Sequence, residues 1–314
     1  MRMGEKTMDL AADDAVEATL RDELAREARA LAAVVPVLRH LLSSDAGTLV
    51  SDAILARVRG MILDLAAQLM AAAAGRDAAT RDYPGGDEAA REALAARLMD
   101  DEALLAHCHA IAAEGLIAAR LQQRMALDPV LSPLLQELIA SEDPEIAALA
   151  MSVLAAQSRF VQSQQRMELP LGELPAELFH ALVGQLQAAS ADSATLVRLT
   201  GGYDEGASRI GLLARLVAAM RRGALAALAI DHAGLALFAT TLAGAVKAPR
   251  EAAVLACHEG QSARLALLLR GAGLTQPAIE RQLLPLSPAV RLPAGLGALT
   301  PDHAAALAGG GATG

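Results

Sequence analysis

The stretch LSPLLQELIASEDPEIAALAMSVLAAQ, Leu131 to Gln157, decides the fold class. It reads as helix, turn, helix. Asp143-Pro144-Glu145 marks the second start: an Asp side chain caps free amides, Pro is tolerated in a first turn, and Glu suits the positive end of the dipole. Beyond it Ile146, Ala150, Val153, Leu154, Phe160 and Val161 recur at helical spacing and form one apolar arc. LALFATTLAGAVKAPREAAVLACHEG, Leu235 to Gly260, is a degenerate copy with Ala-Pro at the turn. Helices of roughly 10–20 residues joined by short links are the pattern of stacked α-hairpins. The expectation is an all-α protein, either HEAT-like stacked helical hairpins or an irregular helical bundle.

The remainder of the 314 residues follows the same rules. Hydrophobic residues make up 54% and aromatics 2%. Ala and Leu, both strong helix formers, supply most of the apolar count, and the β-branched and aromatic runs that mark strands are nearly missing. Helices are expected over 12–34, ended by Pro36, and over 48–74 with Leu49, Val50, Ile54, Val58, Met61, Leu65 and Leu69 at helical spacings. Further helices are expected over 87–99, 101–127, 129–141, 143–167, 174–190 and 191–200. The last group comprises 207–222, 224–246 with a break at Asp231, 249–259, 261–270 and 275–284. Asp128-Pro129 and Thr275 with Pro277 repeat the start signal. Gly260 and Gly271 fall where helix ends favour a left-handed residue.

Charge is unevenly spread. Residues 1–200 carry 17 basic and 29 acidic side chains, whereas residues 201–314 carry 10 and 7. The change falls at the glycines of Gly201 to Gly206. A second interruption is the Gly/Pro-rich stretch 75–87. These breaks suggest an N-terminal helical region (1–84), an acidic helical subdomain (85–200), a HEAT-like C-terminal subdomain (201–285) and a flexible Pro/Gly/Ala-rich tail (286–314). A short helix is allowed in the tail after Thr300-Pro301.

Composition excludes several classes of function. With no Trp there is little to stack bases or cage cations. A net charge of −9 argues against nucleic acid as a partner. Cys108 and Cys257 cannot form a disulfide framework. The first ten residues have no apolar core of a signal peptide. The longest stretch without charge or His, Ala233 to Val246, has 14 residues, short of the roughly 18–20 that cross a bilayer. A cytoplasmic protein with no membrane partner is expected.

The chemistry-bearing residues are sparse. His107-Cys108-His109 looks like metal ligands, but on a helix the two histidines point about 160° apart. Cys257-His258 would have to join it to make a mixed site. Cys108 shares an arc with Leu104, Leu105 and Ile111 and reads more simply as a buried small hydrophobe. Asp231-His232 resembles half of a proton relay, yet no nucleophile motif accompanies it, and a capping Asp at a helix start explains it. No P-loop or dinucleotide loop occurs. No catalytic residue, metal or cofactor is assigned.

Gln157 and Gln164 are more informative, because both fall inside the apolar arc of their helix and buried amides need partners. They either bond neighbouring helices or line a groove that recognises a partner segment. Arg215 and Arg222 share the side opposite the stripe Ile210, Leu213, Leu216, Val217, Met220, with Arg221 at its edge. They read as a solvated face or as a basic docking patch.

The block QSRFVQSQQRMELPLGELPAELFHAL (157–182), after LDPVLSPLLQELIAS, together with RLVAAMRRGALAALAIDHAGLALFAT (215–240), resembles a bacterial family known as domain of unknown function 2336. The likeness covers about residues 100–285. It implies a HEAT-like helical fold and brings no activity or catalytic residues.

These readings point to an interaction scaffold or regulatory adaptor that presents a helix-lined face to a protein partner. Two alternatives are a phosphorelay or other enzyme component using a helix-borne His, and a small-ligand sensor with an apolar cavity. The apolar stripes of 12–34 and 48–74 would also allow a homodimer.

Overall fold

The structure, a computed structural model, describes residues 3–43, 51–78, 88–188, 193–293 and 295–310. Among them every regular element is helical and none is a strand, so the protein is an all-α helical bundle. In chain order the helices are α1 (Met3–Ser43), α2 (Asp52–Ala73), α3 (Glu88–Leu98), α4 (Glu102–Met125), α5 (Pro133–Ile139), α6 (Pro144–Arg166) and α7 (Ala176–Ala188). They continue with α8 (Ser193–Gly202), α9 (Arg209–Met220), α10 (Ile230–Val246), α11 (Arg250–Ala256), α12 (Ser262–Gly271), α13 (Gln276–Leu283) and α14 (Pro301–Gly310). Residues 79–87, which include most of the expected Gly/Pro break, lie outside the described residues, as do 48–50, 191–192 and the final 311–314.

Local signals act largely as chemistry requires. Asp143 caps α6, its carboxylate accepting from the amides of Glu145 (2.9 Å) and Ile146 (3.4 Å). Asp128 accepts from the amides of Val130 (2.7 Å) and Leu131 (3.1 Å) but forms only a bend, not the expected helix start over 129–141: α5 begins at Pro133, where Ser132 Oγ accepts from the Leu135 amide (3.3 Å). Four further expectations need correcting. Pro36 does not end its helix: α1 runs through it to Ser43, and Leu38 beyond it is fully buried, so packing outweighs the lost hydrogen bond. Asp231 does not cap α10. It sits within the first turn, and the amide of Ile230 is instead satisfied by Gln282 Oε1 at 2.9 Å. The expected helix over 224–246 is a tight turn over Arg221–Leu228 followed by α10, which kinks at Gly234 (φ 71). The left-handed residue after α12 is Gly273 (φ 90), not Gly271. Gly271 matters for another reason: a Cβ there would lie 3.1 Å from that of Ala305, so the glycine lets α14 approach α12.

The chain divides into two compact units. One comprises Met1–Val34, Leu116–Gln136 and Met220–Gly314. Its core is α10 and α12, where Leu237, Phe238, Leu242, Leu265, Leu267 and Leu269 are buried. Helices α11, α13 and α14 pack on α12. The helical residue Glu27 caps α12 from a distance in sequence, its two carboxylate oxygens accepting from the amides of Ala263 and Arg264, each at 2.9 Å. Ala304 and Ala308 of α14 are buried, so part of the 286–314 segment belongs to this core.

The other unit comprises Val35–Gly115 and Glu137–Ala219. Here α2 packs on α3, and α7 on α8. The stretch Gly201 to Gly206 lies inside this unit, its first two glycines ending α8 and Asp204 capping the next turn. Buried Gln68 and half-buried Asp64 on α2 clamp the strap that follows α6. Gln68 donates to the Leu169 carbonyl (2.9 Å) and accepts from the Leu171 amide (2.9 Å), and Asp64 accepts from the Leu169 amide (2.9 Å). Phe179 and Tyr203 stack with ring centres 3.9 Å apart, and the Tyr203 hydroxyl donates to the Leu174 carbonyl at 2.8 Å.

Candidate functional site

The strap and the end of α6 frame a cleft of about 240 Å³ within the second unit. Ile111 of α4, Phe160 and Gln164 of α6, Leu169 of the strap and Ile210 of α9 form its walls. Arg159 and Arg166 line it from exposed positions. Its volume equals about eight water molecules at roughly 30 Å³ each, below the roughly 300–1,000 Å³ of small-molecule pockets. It has room for one or two side chains, not for a whole helix.

One wall is a buried ion pair. Arg209 and Glu114 are each 2% exposed, and both Nη atoms donate to the two carboxylate oxygens at 2.8 Å. Gln157 Oε1 accepts a further bond from Arg209 Nη1 at 3.2 Å, and the guanidinium carbon lies 3.7 Å from the centre of the Phe160 ring. The Arg209 amide donates to Glu173 Oε2 at 2.8 Å, so a strap residue caps α9. Such an arrangement fixes the guanidinium by charge, amide and ring together.

Gln157 and Gln164 are both buried, as their positions in the arc require, but they differ in role. Gln157 holds Arg209 in place. Gln164 reaches the cleft and packs over Gly115, where an added Cβ would lie 3.2 Å from its Oε1; its Nε2 touches the Met61 sulfur at 3.7 Å. Its Oε1 has no hydrogen-bond partner. Arg215 and Arg221 do not share one α-helical face, because α9 ends at Met220. Exposed Arg215 donates weakly to the Gly206 carbonyl (3.4 Å). Arg221 is exposed with φ 52, because α9 ends at Met220. The side chain of Arg222 lies outside the described residues.

Glu114 and Arg209 were missed by sequence reasoning, although both carried a signal. Glu114 interrupts the apolar run Ala110 to Ala118, and Arg209 opens a helix, where the dipole disfavours a cation. Each was a charge in the wrong place for a solvated residue.

His107, Cys108 and His109 are all buried. Burial, and Asp101 nearby, push the Cys108 thiol up to about 12. Among the described residues no three His, Cys, Asp or Glu side chains converge to hold a metal. His180 is exposed and packs edge-on to Phe179 and Tyr203. A more open hollow of about 670 Å³ lies beside Gln68, Arg198 and Tyr203, but the Gln68 amide and the Tyr203 hydroxyl are both bonded inward.

One helix among the described residues, α4, is long and apolar enough to cross a membrane, and 67% of its most apolar window is buried within the protein. No protein-family model, curated protein or solved structure matches the chain.

Proposed function

We propose that this protein is a helical interaction module, of HEAT-like hairpin type and cytoplasmic, that captures a segment of a protein partner in the cleft beside α6. The single observation that carries the reading is the fixed Arg209 wall. Bound by Glu114 and Gln157 and covered by Phe160, the guanidinium is spent on shaping the cleft. A preformed wall with apolar sides suits an anchoring side chain, because little ordering cost remains to be met on binding.

The test places a photo-crosslinking residue at exposed Gln162, which lines the cleft, and in a second protein at exposed Arg221, which does not. Crosslinking in the native cell should give a discrete protein adduct from position 162 alone. The purified partner should then bind Gln162→Trp, whose ring fills the cleft, at least about tenfold more weakly than wild type, a loss of about 1.4 kcal/mol. Equal adducts from both positions, or undiminished binding, would sink the proposal.

A further inference from the structure

The acids around the cleft are already engaged. Glu114 is paired with the Arg209 guanidinium, Glu173 caps the Arg209 amide, and Glu168 pairs with Arg166 Nε at 2.8 Å. The cations are not all matched. Arg159 lines the cleft from an exposed position with no carboxylate within ion-pair distance among the described residues. Arg166 follows seven residues later, which places it on nearly the same face of α6, about 10.5 Å along the axis. Only its Nε is engaged by Glu168, and its two Nη atoms remain.

We infer that the cleft's occupant is an acidic protein segment: one apolar or aromatic side chain seated against Ile111, Leu169 and Ile210, with carboxylates on either side reaching Arg159 and Arg166. This rests on the cleft being an interaction site. In an extended segment residues two apart share a face, so carboxylates two positions before and two after the anchoring residue project with it, about 13 Å apart at roughly 3.3 Å per residue, within side-chain reach of two arginines about 10.5 Å apart along α6. The chain's net charge of −9 repels acidic peptides in general, so a preference for acid must come from these two local cations. At physiological salt the Debye length is about 8 Å, so the remaining charges are largely screened at the cleft.

The protein has no Trp, so a Trp-containing peptide reports its own binding by fluorescence. The probes are acetyl-Glu-Ala-Trp-Ala-Glu-amide and acetyl-Lys-Ala-Trp-Ala-Lys-amide, titrated into the full chain at 0.15 M salt. Two exposed pairs gained in one case and two repulsions in the other give about a tenfold preference for the acidic peptide. Arg159→Glu, a surface change checked for native helicity, should cancel or invert that preference. Equal binding of the two peptides, tighter binding of the basic one, or an acid preference that survives Arg159→Glu overturns the acidic inference. If the basic peptide binds and Gln162→Phe, which blocks the cleft and keeps the protein free of Trp, abolishes it, the cleft reading stands while the charge inference falls. If neither peptide binds, both fall.

Discussion

Arg209 and Glu114 lie 95 positions apart in the chain and meet as a bidentate pair at 2.8 Å, each 2% exposed. A pair so desolvated contributes little net stability compared with apolar residues of the same size, but losing one partner strands a buried charge. Glu114→Ala should therefore cost about 3–5 kcal/mol in urea unfolding. The double change Glu114→Leu with Arg209→Met should be more stable than either single one. Additive losses in that cycle would mean that the two groups are not coupled.

The all-helical class was legible because Ala, Leu, capping Asp and Pro act locally. The Asp143-Pro144 start is an example: its hydrogen bonds span two or three residues. The candidate site was half legible. Gln157 and Gln164 stood out as amides within an apolar arc. What they do depends on Glu114, Arg209 and Gly115, which arrive from other helices and leave no mark in local periodicity. The register of Arg215, Arg221 and Arg222 was not legible, for a local reason. One α-helix was expected through residue 222, whereas α9 ends at Met220 and Arg221 turns left-handed.

Gly60 shows how closely the strap after α6 approaches α2. A Cβ there would lie 2.4 Å from Met167 Cβ and 2.9 Å from the Met167 carbonyl oxygen. Met167 itself is left-handed, φ 57, where it closes α6. Gly60→Ala should destabilise by about 1–3 kcal/mol through overpacking. Met167→Gly removes the opposing Cβ and relieves a conformation that costs a non-glycine residue about 1–2 kcal/mol. Adding it to Gly60→Ala should recover part of the loss in thermal unfolding; no recovery would place the clash elsewhere.

Glu27 gives the fold a pH dependence of defined sign. Burial raises its carboxyl above the ordinary 4.5, outweighing the two amides it accepts from at the start of α12. The folded state therefore takes up a proton at higher pH than the unfolded chain. This group's favourable contribution is fully present below 4.5 and is lost as pH rises through the elevated folded value. Glu27→Gln keeps an acceptor but cannot titrate. The melting temperature of wild type minus that of Glu27→Gln should rise as pH is lowered through this window. A difference that is flat, or that falls, contradicts the assignment.

Cys108 reports the opening of the second unit. Its thiol is fully buried and pushed up to about 12, so at pH 8 it is neither exposed nor appreciably a thiolate. Attack on a disulfide reagent requires both. In native buffer Cys108 should remain unlabelled by an aromatic disulfide over hours, and labelling should accelerate with urea in step with loss of helicity. The Cys257→Ser variant isolates the signal, since Cys257 is also buried. If Glu114→Ala strands Arg209 as argued above, the same measurement on that background should show faster native-state labelling. Cys108 and Glu114 lie on the same helix, within the unit that the broken pair would loosen. Rapid labelling of Cys108 in the unmutated fold would show that α4 is not packed as described.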